Sequence, residues 1–234
     1  MTHDLVVKAL SEGRFKLLDH EAYQLLEAYG IPTPGYRVVS NYEEAIKAAN
    51  EVGYPVAIKV ISPDIMHKTD VGGVALNISS DDEVKRACQE VSSNVKRLAP
   101  YARVFGYLVQ HMVQGGLEVI VGGLRDGIFG TVVLFGMGGV LTELYRDTSM
   151  RIAPITEDDA LSMVKETKAY QLIIGYRGMP RRDIYSLVDI MVKFSRLIVD
   201  NPQISEADLN PVIMLENGKG SYVVDARFML KPHN

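Results

Sequence analysis

The chain has 234 residues, 47% hydrophobic and 23% charged, enough apolar material for one large α/β unit or two lobes with a sizeable core. A formal charge of −4 argues against nucleic acid as the main partner, because a phosphate backbone calls for a basic surface. The single cysteine, Cys88, excludes an internal disulfide and a cysteine-cluster zinc site.

In chain order, residues 1–10 are too short and polar for a signal peptide, and no later stretch reaches the roughly 18 apolar residues of a membrane span. A soluble, cytoplasmic protein is expected. Helical spacing covers 5–10 and 20–29, and Gly30 with Pro32 stops the second helix. A short strand follows at 36–39. Asn41 caps a helix running to about 52, and 56–61 is an apolar strand interrupted by one charge, Lys59. After a polar loop at 62–73 come a strand at 74–78 and a helix capped by Ser80 that reaches 98 and holds Cys88 on its apolar face. From 103 the character changes to consecutive strands at 104–111, 117–124 and 130–135, with glycine turns between them. Helices are expected at 157–173 and 181–199, and closing strands at 207–215 and 221–230. The change of packing class near Pro100 predicts lobes of 1–102 and 103–234, in a layered α/β (α+β) architecture.

The closing hairpin carries the sharpest local inference. Asn217-Gly218 is a preferred two-residue turn, and pairing outward from it sets Asn210 opposite Asp225, with Asp208 on the same face. Carboxylate and amide oxygens on a rigid sheet suit magnesium, which takes few protein ligands; a solvated polar strand face is the alternative. A bulge at Gly220 would shift this register.

Lys59 either snorkels to solvent or meets a nucleotide phosphate. In the loop Ser62-Pro-Asp-Ile-Met-His67-Lys68-Thr69-Asp70-Val71-Gly72-Gly73, the two glycines offer backbone donors that approach phosphate closely, although the Walker A and Rossmann spacings are absent. A neutral imidazole at His67 can attack a phosphorus beside the cation of Lys68, or it is an ordinary surface histidine. A second glycine-rich segment at 135–140 precedes Glu143; Glu143, Asp147 and Arg151 either serve a site or pair on the surface. The histidines His3, His20 and His233 read as solvated.

Taken together, VAIKV at 56–60, SPDIMHKTDVGGV at 62–74, FGMGGVLTELYRDTSMRIAPI at 135–155, DLNPV at 208–212 and VVDAR at 223–227 resemble the β subunits of archaeal-type ADP-forming acetyl-CoA synthetases, within the ATP-grasp superfamily. The histidine loop is the most specific of these motifs. The resemblance implies an ATP-grasp fold of two lobes with ATP or ADP between them. It also implies that Lys59 contacts phosphates, that the backbone of Gln110, His111, Met112 and Val113 reads the adenine edge, and that Glu118 holds the ribose. Asn210 and Asp225 match magnesium ligands, agreeing with the hairpin geometry. His67 matches a phosphohistidine carrier on a loop that travels, in the net reaction acyl-CoA + ADP + phosphate giving carboxylic acid + CoA + ATP. No CoA-binding lobe is evident, so a partner α subunit is implied, in an α2β2 assembly by analogy. Two rivals stand beside this reading: an ATP-grasp ligase without a phosphohistidine, and a nucleotide-sensing module without turnover.

Overall fold

The computed structural model describes residues 2–138 and 147–232. It divides into two compact units: Leu18–His20 with Pro34–Val113, and Met1–Leu17 with Glu21–Thr33 and Gln114–Asn234.

The unit centred on residues 34–113 is an antiparallel sheet with two helices. Strands β1 (Tyr36–Val39), β2 (Val56–Ile61), β3 (Val74–Ile78) and β4 (Gly106–His111) lie in the order β1-β4-β2-β3. Helices α3 (Tyr42–Val52) and α4 (Asp81–Leu98) start where their caps predict, with Asn41 Oδ1 accepting from the Glu44 amide and Ser80 Oγ from the Glu83 amide. Ala45, Ala48 and Ala49 of α3 and Val84, Ala87 and Cys88 of α4 pack against Val56, Ile58 and Val109. The small alanines and Cys88 let the helices lie close, and burial pushes the Cys88 thiol up to about 11.

In the other unit, β5 (Leu117–Asp126), β6 (Gly130–Met137), β7 (Thr148–Ile152), β8 (Ile204–Met214) and β10 (Ala226–Leu230) form an antiparallel sheet ordered β10-β8-β5-β6-β7, with β9 (Ser221–Val223) also on β8. Helices α1 (Thr2–Ser11) and most of α2 (Asp19–Ala28) belong here, as do α5 (Glu157–Lys165), α6 (Ala169–Ile173) and α7 (Ile184–Asp200). The apolar face of α7 buries Leu187, Ile190, Met191, Phe194, Leu197 and Ile198. It seats on the sheet at Gly123, where a Cβ would stand 1.9 Å from Ile198 Cδ1, so only glycine allows that approach. Buried Arg14 donates two bonds to Glu21, at 2.6 and 2.8 Å, and ties the α1–α2 connection together. Among the described residues, no helix is long and apolar enough to cross a membrane.

Several expectations change. The division falls at 113/114 instead of 102/103, because β4 pairs with β1 and β2 and not with β5, and the N-terminal helices pack with the later unit. Strand β7 escapes the sequence because its alternation is inverted: Ser149 is buried while Met150 and Ile152 are exposed. The helix expected over 157–173 is two, α5 and α6. The last strand breaks at Val224-Asp225 into β9 and β10.

Candidate active site

The hairpin places the acidic and amide groups as its turn predicts. Val212 pairs Val223 and Met214 pairs Ser221, and the register continues beyond the break as Leu209 with Ala226 and Asp208 with Arg227. Asn210 therefore faces Asp225 across the gap, and its amide donates to the Asp225 carbonyl at 3.1 Å. Gly220 does not shift the register. The turn is held from outside: the Asp183 carboxylate, at the N-cap of α7, accepts from the amides of Gly218 (3.1 Å) and Gly220 (3.0 Å). Asn217 keeps a negative φ and Gly218 takes φ +82, so the turn is not the type I′ form that its dipeptide usually adopts.

On the β5 side the ladder shifts between Val119–Val212 and Val121–Leu209, setting Asn210 and Pro211 against the single residue Ile120. This bulge re-aims the strand at the two candidate ligands. The fully buried Tyr23 donates its hydroxyl to the Val224 carbonyl at 2.7 Å, and the Val223 amide donates to the Pro32 carbonyl at 2.9 Å. The backbone beside Asp225 is thus fixed from α2 and the segment after it.

Asp208, half-buried between these groups, has its carboxyl pushed above the ordinary range, chiefly by loss of solvent and further by the charges of Glu206 and Asp225. Arg227 and a hydrogen bond from Asn210 pull the other way. The Arg227 guanidinium is shared with Glu206 at 3.1 Å, so it compensates Asp208 only in part. Two carboxylates, Asp208 and Asp225, beside an amide oxygen fit a hard divalent cation, and the all-oxygen donor set suits magnesium. Among the described residues no group of three or more His, Cys, Asp or Glu side chains is arranged to hold a metal.

His67 is exposed at the tip of the loop after β2. On its N-terminal side, Ile65 is 4% exposed and packs with Val60, Val91 and Val95, while Asp64 accepts from the Arg103 amide (2.8 Å) and guanidinium (2.7 Å). On its C-terminal side, Lys68 Nζ meets Asp19 Oδ1 at 2.6 Å, and the Gly73 amide donates to the Lys68 carbonyl at 2.7 Å. The Gly72 amide donates to the Thr69 carbonyl at 3.1 Å. Gly72 and Gly73 were expected to offer amides to phosphate; in this conformation both amides are spent inside the turn. Their contribution is shape: Gly72 takes φ +60, and a Cβ at Gly73 would stand 2.8 Å from Val60 Cγ1.

The other expected nucleotide contacts divide between the two units. Lys59 is 8% exposed in the wholly buried strand β2, paired with Val74 and Leu108, which excludes the solvent-snorkelling reading. Gln110 is 2% exposed at the end of β4. The amides of His111 and Met112 donate to the carbonyls of Gly35 and Pro55, both at 2.9 Å, and the His111 ring lies 2.8 Å from the Gly53 carbonyl. Among the described residues the Val113 amide, unlike those of His111 and Met112, has no backbone acceptor. Glu118, in the other unit, is exposed on β5, and its carbonyl accepts from the Gly138 amide at 3.0 Å. Asp147 accepts from the Lys168 amide at 2.6 Å and Arg151 pairs with Glu166, so both hold β7 to the helices. Glu143 and His233 lie outside the described residues. His20 is half-buried and not solvated as expected.

Sequence reasoning missed Asp19, Asp64 with Arg103, Tyr23 and Arg227. Only Arg227 had a signal, since the hairpin register that pairs Asn210 with Asp225 also sets it opposite Asp208.

A family model for the ATP-grasp domain matches residues 8–230. The chain is 43% identical over 228 residues to the β subunit of acetate–CoA ligase [ADP-forming] II of Pyrococcus furiosus, covering 97% of both chains. It is 45% identical over 225 residues to acetate–CoA ligase [ADP-forming] I of Archaeoglobus fulgidus, covering 96% of this chain and 32% of that longer one. Among solved structures, acetyl-coenzyme A synthetase 1 of Ca. Korarchaeum cryptofilum, in complex with coenzyme A, Ca-AMPCP and HgCl+, matches with a TM-score of 0.95 at 47% identity, over 99% of this chain and 100% of that one. The same protein with a phosphorylated phosphohistidine segment matches at 0.90 and 46% identity, with the same coverage. The chain belongs to the ATP-grasp family and, within it, to the group of ADP-forming acetate–CoA ligase β subunits.

Proposed function

We propose that this chain is the nucleotide-binding subunit of an ADP-forming acyl-CoA synthetase, catalysing acyl-CoA + ADP + phosphate = carboxylic acid + CoA + ATP with His67 as the phosphoryl carrier. The observation that carries the reading is His67 itself: an exposed imidazole on a clasped loop, in a chain similar over nearly its whole length to proteins that carry a phosphohistidine segment. An α subunit carrying the CoA and acyl-phosphate chemistry is the implied partner, and α2β2 is the stoichiometry we propose.

In the α subunit phosphate displaces CoA from the acyl-CoA to give an acyl phosphate, whose phosphoryl group is passed on as the carboxylate leaves; a ring nitrogen of neutral His67 takes it, the N–P bond forming as the donor's bond to phosphorus breaks. In the second half reaction an oxygen of the ADP β-phosphate attacks phosphorus. The O–P bond forms as the N–P bond breaks, and the imidazole leaves neutral with its proton on the other nitrogen. Lys59 supplies positive charge to the phosphates, Val113 and Gln110 orient the base, and Glu118 takes the ribose hydroxyls. Asn210, Asp225 and Asp208 would hold a magnesium ion, which when bound neutralises phosphate oxygens. Because in-line attack demands near contact, the loop must deliver His67 and withdraw it.

The test is to incubate the chain and its α subunit with γ-labelled ATP and magnesium. Acid-labile, base-stable label on this chain, absent in His67→Ala, is expected. Turnover that survives His67→Ala refutes the carrier and favours a direct acyl-phosphate ligase. Nucleotide binding with neither label nor turnover favours a sensor.

A further inference from the structure

The carrier loop is short, and its length constrains where the partner sits. His67 lies six residues from Ile61, the last residue of β2, and six from Gly73, whose carbonyl accepts from the Val60 amide at 2.8 Å. With every clasp undone, a six-residue tether at about 3.3–3.6 Å per residue carries the His67 backbone at most about 20 Å from either anchor. The partner's phosphoryl donor must therefore come within that radius of the β2 end, which brings the partner close to this face.

That neighbourhood exposes several large apolar side chains. Tyr101 is 97% exposed, Phe105 51%, Leu98 47%, Val104 46% and, beside His67, Met66 44%. These residues belong to the same end of the unit: the Phe105 amide donates to the Ile61 carbonyl at 2.9 Å, Ile61 pairs Gly106, and Arg103 grips Asp64 at the loop root. Single exposed apolar side chains are ordinary, but several large ones around a functional loop mark a contact surface. Aromatic side chains such as Tyr101 and Phe105 are the types that anchor interfaces.

We propose that the 98–105 segment, with Met66, is the docking surface for the CoA-binding α subunit, so that the carrier loop emerges at the edge of the subunit contact. The proposal rests on the carrier reading of His67, since the tether length sets the occupant.

The test uses the full chain with its purified α subunit and two variants, Tyr101→Ala and the double variant Tyr101→Asp/Phe105→Asp. Three quantities are read: affinity for the α subunit, labelling of His67 from γ-labelled ATP by this chain alone, and labelling from acyl-CoA with labelled phosphate in the pair. At least about a tenfold loss of affinity is expected, with a matching fall in partner-dependent labelling and unchanged labelling from ATP. Ile128→Asp, at 88% exposure in the other unit, is expected to change none of the three. Unaltered affinity in both variants overturns the proposal, as does a change in self-association of this chain without the α subunit, which would make a second copy the occupant. If wild-type chain takes no label from either donor while the variants still lose affinity, the carrier reading fails but the docking surface stands.

Discussion

Asp19→Asn tests the C-terminal clasp of the carrier loop. The Lys68 and Asp19 side chains are 16% and 7% exposed and meet at 2.6 Å, one residue after His67. Exposed ion pairs contribute about 0–1 kcal/mol, whereas removing one partner of a buried pair costs about 3–5 kcal/mol. This pair lies toward the buried end, and asparagine keeps an acceptor oxygen, so a cost of about 2 kcal/mol is reasonable, which is about 30-fold in the clasped-to-released ratio. Asparagine is also an adequate residue for the start of α2, so the helix itself is spared. The assay is amide hydrogen exchange. The Gly72 and Gly73 amides are held by the carbonyls of Thr69 and Lys68, so their exchange reports opening of this turn. Exchange at both is expected to rise by about 30-fold in Asp19→Asn and similarly in Lys68→Met, with no further gain in the double variant. A rise below about threefold, or additive effects of the two substitutions, refutes the clasp.

Asp208→Asn is expected to raise the thermal midpoint of the metal-free protein at neutral pH. The folded-state carboxyl titrates above its unfolded value, so the wild type is most stable relative to the variant below the ordinary aspartate range and loses ground as pH rises through the folded value. The gap should close on acidification, and magnesium with ADP should stabilise the wild type more than the variant; thermal melts across pH read both. Tyr23→Phe removes the donor to the Val224 carbonyl at 2.7 Å. It should cost about 1–2 kcal/mol in denaturant melts and raise the magnesium concentration needed for half-maximal activity. Gly73→Ala forces a Cβ to within 2.8 Å of Val60 Cγ1 and 3.1 Å of the Lys68 carbonyl. A loss of about 1–3 kcal/mol is expected, and unchanged stability would show that the loop closes differently.

Legibility in the sequence tracked the range of the interactions. The Asn217-Gly218 turn is local, and once it fixes the register, Asn210 and Asp225 must face each other; the bulge at Asn210-Pro211 did not disturb this because it lies toward β5, on the other side of β8. Caps at Asn41 and Ser80 are likewise local and start helices where expected. What stayed hidden depends on distant partners. Lys68 finds Asp19 across 49 residues of chain, with no periodicity to announce it. The unit boundary was hidden because a strand's neighbours, not its composition, decide where it belongs. Strand β7 was hidden because an exposed apolar face imitates a loop or a buried segment, depending on which residue is read first.

Phosphoryl carriage asks opposite things of its two ends. The proposed magnesium ligands sit on a hairpin pinned by Asp183, Tyr23 and Pro32, so they keep their geometry whatever the loop does. The carrier must leave its resting place, and its clasps set the cost of leaving. Taking about 2 kcal/mol for Lys68–Asp19, about 1 for the partly exposed Asp64–Arg103 pair and about 2 for withdrawing Ile65 from its cluster, full release costs about 5 kcal/mol. A loop so held is free in only about one molecule in several thousand, too few to support brisk turnover unless release is offset. The clasp residue Asp64 shares its partner segment with Tyr101, Val104 and Phe105, where the α subunit is proposed to bind. A partner that covers this segment is therefore positioned to loosen the N-terminal clasps as it docks, so that release is faster in the pair than in this chain alone.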